Sequence, residues 1–301
     1  MLLTHPENQL LQLQGRRLPI FLLAFALYFV AALGCIYVTR QPGNIAGVWY
    51  ANAIMIMFLQ VFSYRDWPIL LIIAALGNLC ANIVFNDPIG MSLAFIPSNL
   101  LEIGLVGFCF RRFIPLQHCT ENPLTLLKLL AVMLLPIALS ALLGALVLML
   151  YGLVSYDQGW LFLFTGSVVG AISIIPTGLL LVSYGWQDFI QINQSFGFLM
   201  CILLALLIAL FGFVYLPDPY IYISATLILV AFFGRFAGTA LAILVYSIII
   251  STLISLGFFQ SSIQGQYHQS DSYLYLPLMM TLLQPLLLAA AMQRIDNLKR
   301  R

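Results

Sequence analysis

Apolar runs of roughly membrane-spanning length, each closed by a short polar break, recur along the whole chain. They lie at about 18–39, 46–63, 67–86, 89–110, 124–152, 160–184, 196–215, 220–236, 237–259 and 274–293. A helix needs about 20 mostly apolar residues to cross a bilayer. The pattern therefore predicts an all-α fold, a polytopic integral-membrane helical bundle of about ten transmembrane helices, eight at the fewest. The narrowest break is Gly234-Arg235-Phe236-Ala237-Gly238, where little more than one charge separates two runs. Whether residues 220–259 form one span or two decides the count.

The breaks also carry an orientation. If Arg16 and Arg17 face the cytoplasm and ten helices alternate, every other lysine and arginine except Arg40 falls on or near that side, as basic residues do in membrane proteins. The opposite loops carry Asp87, Asp157, Asp218 and Asp271. Both ends are then cytoplasmic: a short N-terminal segment at 1–17, a transmembrane domain at 18–293, and an end at 294–301 that can continue the last helix into the cytoplasm as the start of a signalling helix. A cleaved signal peptide is the competing reading of the first run, but Leu18 to Thr39 is long enough to span and shows no clear small-x-small cleavage site.

Composition excludes a soluble domain. The chain is 62% hydrophobic and 7% charged, against about 25% charged in soluble proteins, and its mean hydropathy is +1.04. The five cysteines (Cys35, Cys80, Cys109, Cys119, Cys201) have neither metal nor disulfide spacing. His5, His118 and His268 are far apart, no nucleotide, metalloprotease or hydrolase motif is present, and no basic face suits nucleic acid. No cofactor, metal or catalytic residue is expected.

The informative residues are the polar ones inside the runs. Glu102 is the carboxylate that cannot reach water at the end of its segment, and a charge at such depth costs about 2.5 kcal/mol or more unless partnered or neutral. Asn99 and Glu102 are three apart and Asn78 and Asn82 four apart, so each pair shares a helix face. At 1.5 Å per residue, Asn78 lies roughly 16 Å in from Trp67 and Glu102 roughly 13 Å in from Arg111, with Asn52 at comparable depth. These residues form either the polar lining of a ligand or proton cavity, or hydrogen-bonding glue between helices with Glu102 protonated. Trp49 and Tyr50 either anchor a helix at the interface or cap an outward-facing cavity. Pro97, Pro136, Pro176 and Pro285 interrupt spans, and a kink at Pro97 is expected to open backbone groups onto the same cavity. Ser167, Gly170, Ser173, Pro176, Thr177 and Gly178 give the sixth run a close-packing character.

Val48-Trp49-Tyr50, Trp67-Pro68, Gly77-Asn78, Asn99-Leu100-Leu101-Glu102 with Arg111-Arg112 and Pro115, Gly170 with Pro176-Thr177-Gly178-Leu179-Leu180, and Leu216-Pro217 before Arg235 together resemble the MASE1 family. The resemblance covers nearly all of 18–298. That family comprises membrane-associated sensory domains at the N-terminus of bacterial diguanylate cyclases, cyclic-di-GMP phosphodiesterases and histidine kinases. It implies a sensor in the bacterial inner membrane with a small-molecule ligand, a cytoplasmic signalling domain or partner protein, and a homodimeric assembly. Two departures stand out: Tyr50-Ala51-Asn52 replaces a proline-containing segment, and Thr165-Gly166-Ser167-Val168-Val169 lacks the acid often found there. No ligand is therefore carried over from the family. A transporter or substrate-binding membrane subunit is the alternative reading, and a membrane scaffold a third.

Overall fold

The computed structural model describes residues 17–41, 45–114, 123–192, 196–216, 219–256, 258 and 275–299. The first sixteen residues, the segment with Pro115 and His118, and the loop with His268 and Asp271 lie outside them. Nine helices are found among the described residues: α1 (Arg17–Thr39), α2 (Ala51–Val61), α3 (Trp67–Val84), α4 (Ile89–Phe113), α5 (Pro123–Leu150), α6 (Tyr156–Ile192), α7 (Phe196–Tyr215), α8 (Tyr220–Ser255) and α9 (Leu276–Lys299). Between α1 and α2, β1 (Arg40–Gln41) and β2 (Ile45–Ala46) pair antiparallel, with Arg40 opposite Ala46.

Seven of these helices, α1, α3, α4, α5, α6, α8 and α9, are long and apolar enough to cross a membrane. Their outward faces are greasy. On α1, Ala24, Tyr28, Ala32, Cys35 and Ile36 recur at helical spacing and point inward, while Leu18, Leu22, Leu23, Leu27 and Val30 stand exposed. Exposed leucine in that quantity suits lipid rather than water. α6 is the central helix: 72% of its apolar window is buried, against 28% for α1, and it packs on α2, α5, α8 and α9.

Two elements depart from what hydropathy predicts. The run at 46–63 is not one helix. Gly47 to Trp49 is non-helical, Tyr50 caps α2, and α2, at 11 residues, is about 16 Å long, too short to cross alone. Non-helical backbone survives at such depth only when protein satisfies it, and here it does. The Gly47 amide donates to the Thr39 carbonyl at 2.8 Å, Val48 to Thr39 Oγ1 at 3.2 Å, Trp49 to the Gly166 carbonyl at 3.4 Å and Tyr50 to Cys35 Sγ at 3.2 Å. Gly166 and Gly170 of α6 make room for this segment: a Cβ at either would overlap the carbonyl oxygen of Gly47 or Trp49. The close-packing character read for this helix thus has a definite object, a neighbouring backbone.

The second is α8. A straight helix of 36 residues would be about 54 Å long, well beyond a bilayer core of about 30 Å. Arg235 breaks it, with φ 51° and ψ −154°. Ser224 meets Gln284 and Arg235 pairs with Asp296, so the first arm runs alongside α9; Ser255 meets Tyr275, so the second arm runs back. Thr226 and Tyr246 are side-chain neighbours across the two arms. The polar break at Gly234 to Gly238 falls at this turn.

Three basic residues at the end of the bundle away from Arg40 are tied in. Arg17 pairs with Asp66 at 3.2 Å, and Asp66 also accepts from Ser63 at 2.7 Å. Arg111 donates to the Leu59 and Phe62 carbonyls at the end of α2 and lies over the Tyr64 ring, while Trp67 Nε1 donates to Leu59 at 3.1 Å. Arg235 Nε donates to Asp296 at 2.6 Å.

Candidate functional site

At the other end, a cavity runs down between α3, α4, α5 and α6 beneath the β1–β2 hairpin. The space open to the centre of a water-sized molecule is about 90 Å³, several times the roughly 10–15 Å³ that one water needs. One face of α4 supplies a wall: Met91, Ser92, Phe95, Ser98, Asn99 and Glu102 follow one another at helical spacing. Asn78 and Asn82 face them from α3, Ser140 and Ala141 from α5, Phe162, Leu163, Gly166 and Ser167 from α6, and Trp49 from the non-helical segment before α2.

Glu102 is only 4% exposed. Ser167 Oγ donates to Glu102 Oε2 at 2.9 Å. Ser140 Oγ is 3.5 Å from the same oxygen, but its single hydrogen has a nearer acceptor in the Ile137 carbonyl at 2.8 Å. Asn52 also reaches the carboxyl. Among the described residues the ion pairs are Arg17–Asp66, Arg40–Asp87 and Arg235–Asp296, and none includes Glu102.

A polar chain continues behind the acid. Asn52 Nδ2 donates to Asn99 Oδ1 at 3.2 Å, while Asn52 Oδ1 accepts from Trp49 Nε1 at 3.0 Å and from Tyr28 at 3.1 Å. Asn82 Nδ2 donates to Asn78 Oδ1 at 2.6 Å and to the Asn78 carbonyl at 2.8 Å. The Asn78 amide nitrogen, buried at the cavity wall, has no partner. At the mouth Asp87 is ion-paired to Arg40 through Oδ1, and its buried Oδ2 is likewise unpartnered. Burial pushes the Asp87 carboxyl above its ordinary range, with Arg40 pulling the other way.

The structure thus brings Trp49, Asn78, Asn82, Asn99 and Glu102 to one cavity, with Asn52 directly behind them. Sequence reasoning passed over Tyr28, Ser140, Asp87 and Arg40 here, and took Ser167 for packing. The expectation for Pro97 is corrected. Pro97 and Leu93, whose carbonyl loses its donor, are exposed on the face of α4 opposite the cavity, so the freed backbone group turns outward. Among the described residues no three His, Cys, Asp or Glu stand together to hold a metal.

Comparison with known proteins agrees with this membrane-embedded architecture. The chain is 22% identical over 200 residues to the probable diguanylate cyclase DgcE of Escherichia coli (strain K12), an alignment covering 66% of this chain but 18% of that protein. No solved structure matches. The MASE1 family profile matches residues 18–295, from the start of α1 almost to the end of α9. With nearly every described helix inside that match, the chain belongs to the MASE1 family of membrane-bound sensory input domains.

Proposed function

We propose that this protein is the sensory input region of a bacterial inner-membrane signalling system. A small ligand enters the cavity from outside the cell, engages Glu102 and its neighbours Asn78, Asn99 and Trp49, and changes the packing of α6 against α9. The basic end is then cytoplasmic, by the usual placement of lysine and arginine, and residues 294–301 pass the change to a cytoplasmic output that turns over cyclic-di-GMP or phosphorylates a partner. The domain limits of 1–17, 18–293 and 294–301 follow from the same reading.

The observation that carries it is a buried acid without a counter-ion at the floor of a cavity. A carboxylate so placed is a functional group by default, because stability alone selects against it. Coupling has a physical route: α6 lines the cavity with Gly166 and Ser167 and packs directly on α9. A ligand shifts such an equilibrium only by its differential affinity for the two packings. The test is a Glu102→Gln substitution in a membrane-inserted fusion to a cyclase output, with cyclic-di-GMP as the readout. Output that no longer responds to growth conditions supports the proposal; wild-type response sinks it.

The non-helical segment before α2 favours a second reading. Interrupted helices beside a midplane acid are what transporters use to hold substrates. Substrate accumulation in proteoliposomes, abolished by Glu102→Gln, would decide for transport.

A further inference from the structure

The chemistry of the ligand is written in what the cavity lacks. Its two titratable lining groups, Asp87 and Glu102, are both acids. Arg40 balances Asp87 at the mouth, using one carboxyl oxygen and leaving the other buried and bare. At the floor Glu102 has one firm hydroxyl donor in Ser167, an amide neighbour in Asn52 and no cation. A buried carboxylate needs positive charge and hydrogen-bond donors to offset its lost hydration. The protein supplies the second in part and the first not at all.

The walls point the same way. Trp49, Phe95 and Phe162 turn aromatic surface to the cavity, and ring faces attract cations, most strongly when water is excluded. Ser92 and Ser98 are already committed, donating to the carbonyls of Pro88 and Ser140, so their oxygens remain as acceptors for an incoming N–H. One group asks for the opposite: the Asn78 amide nitrogen is a buried donor with nothing to donate to. An engineered apolar cavity of about 150 Å³ holds benzene, so about 90 Å³ suits something smaller.

We propose that the cavity binds a small organic ammonium ion bearing an oxygen acceptor, its cationic group against Glu102 among the aromatic walls and its oxygen on the Asn78 amide. This rests on the cavity being the ligand site, and fixes the ligand's charge and polarity.

The experiment is thermal unfolding of the whole detergent-purified chain with ethanolamine, tetramethylammonium, ethylene glycol or glycolate, each against potassium chloride of equal ionic strength. A ligand that binds only the folded state raises the melting temperature in a saturable way. Ethanolamine is expected to do so, tetramethylammonium to do so more weakly, and neither the neutral glycol nor the anion to do so. Glu102→Gln is expected to weaken ethanolamine at least tenfold. Should that variant not fold, Asn78→Ala serves instead: it weakens ethanolamine but leaves tetramethylammonium, which has no oxygen, unchanged. A shift from glycol or glycolate that Glu102→Gln removes would overturn the ammonium assignment while leaving the cavity a ligand site. No shift from either ammonium compound, or one indifferent to both substitutions, would also overturn the assignment. Failure of the sensory reading itself shows elsewhere, as an unchanged cyclase response in the Glu102→Gln fusion.

Discussion

The two ends of this bundle handle their polar groups differently. At the basic end several charges are tied into the fold: Arg17 holds Asp66, Arg111 terminates α2, and Arg235 ties the turn of α8 to α9, although Gln60 Oε1 is buried there without a partner among the described residues. At the cavity end, Glu102 has no counter-ion and the Asn78 nitrogen and one Asp87 oxygen have no partner. Buried polar groups left without a protein partner cost stability unless water or a ligand meets them. The proposed ligand site thus lies at the end whose polar groups are the less completely paired.

That contrast can be broken by substitution. The largest effect is expected at the wall they share: Gly170→Ala drives a methyl group into the Trp49 carbonyl, and since neither backbone can yield, the loss is about 3 kcal/mol or more, read as unfolding in mixed micelles. Arg111→Ala strips the end of α2 of its donor to Phe62 and is expected to cost about 1–2 kcal/mol in the same assay. Tyr28→Phe removes one of two donors to Asn52 and should cost about 0.6 kcal/mol, the average for hydrogen bonds between membrane helices, and no more than about 1.7. Asn78→Ala deletes the unpartnered nitrogen, while Asn82 keeps the Asn78 carbonyl. Its effect on stability should lie within about 0.5 kcal/mol of zero. A cost matching that of Arg111→Ala would mean the cavity polar groups are structural after all.

Much of the site was legible because a helix has a fixed rise. Counting residues from Trp67 and Arg111 placed Asn78 and Glu102 at one depth, and they share a cavity. The serines were not legible. Ser140, Ser173 and Ser251 each donate back to a carbonyl three or four residues earlier, a habit that hides the one, Ser167, that reaches across to Glu102. Tyr28 was invisible for a related reason: one hydroxyl in an apolar helix has no partner until a second helix is beside it. Hydropathy is blind to conformation, so Gly47 to Tyr50 read as the start of a helix. What makes room for this non-helical backbone is a pair of glycines more than a hundred residues away. The turn at Arg235 was marked by its own polar break, whereas Pro97 misled because sequence gives a kink but not the side on which it opens.

The segment from Gly47 to Tyr50 has a mechanical consequence. It lies keyed into α6 as a peg lies in a slot, carbonyl against glycine at two successive turns. Any displacement of the backbone at Trp49 would therefore press directly on α6 at Gly170. In the proposed sensor, that contact makes the roof of the chamber a lever on the bundle's central helix.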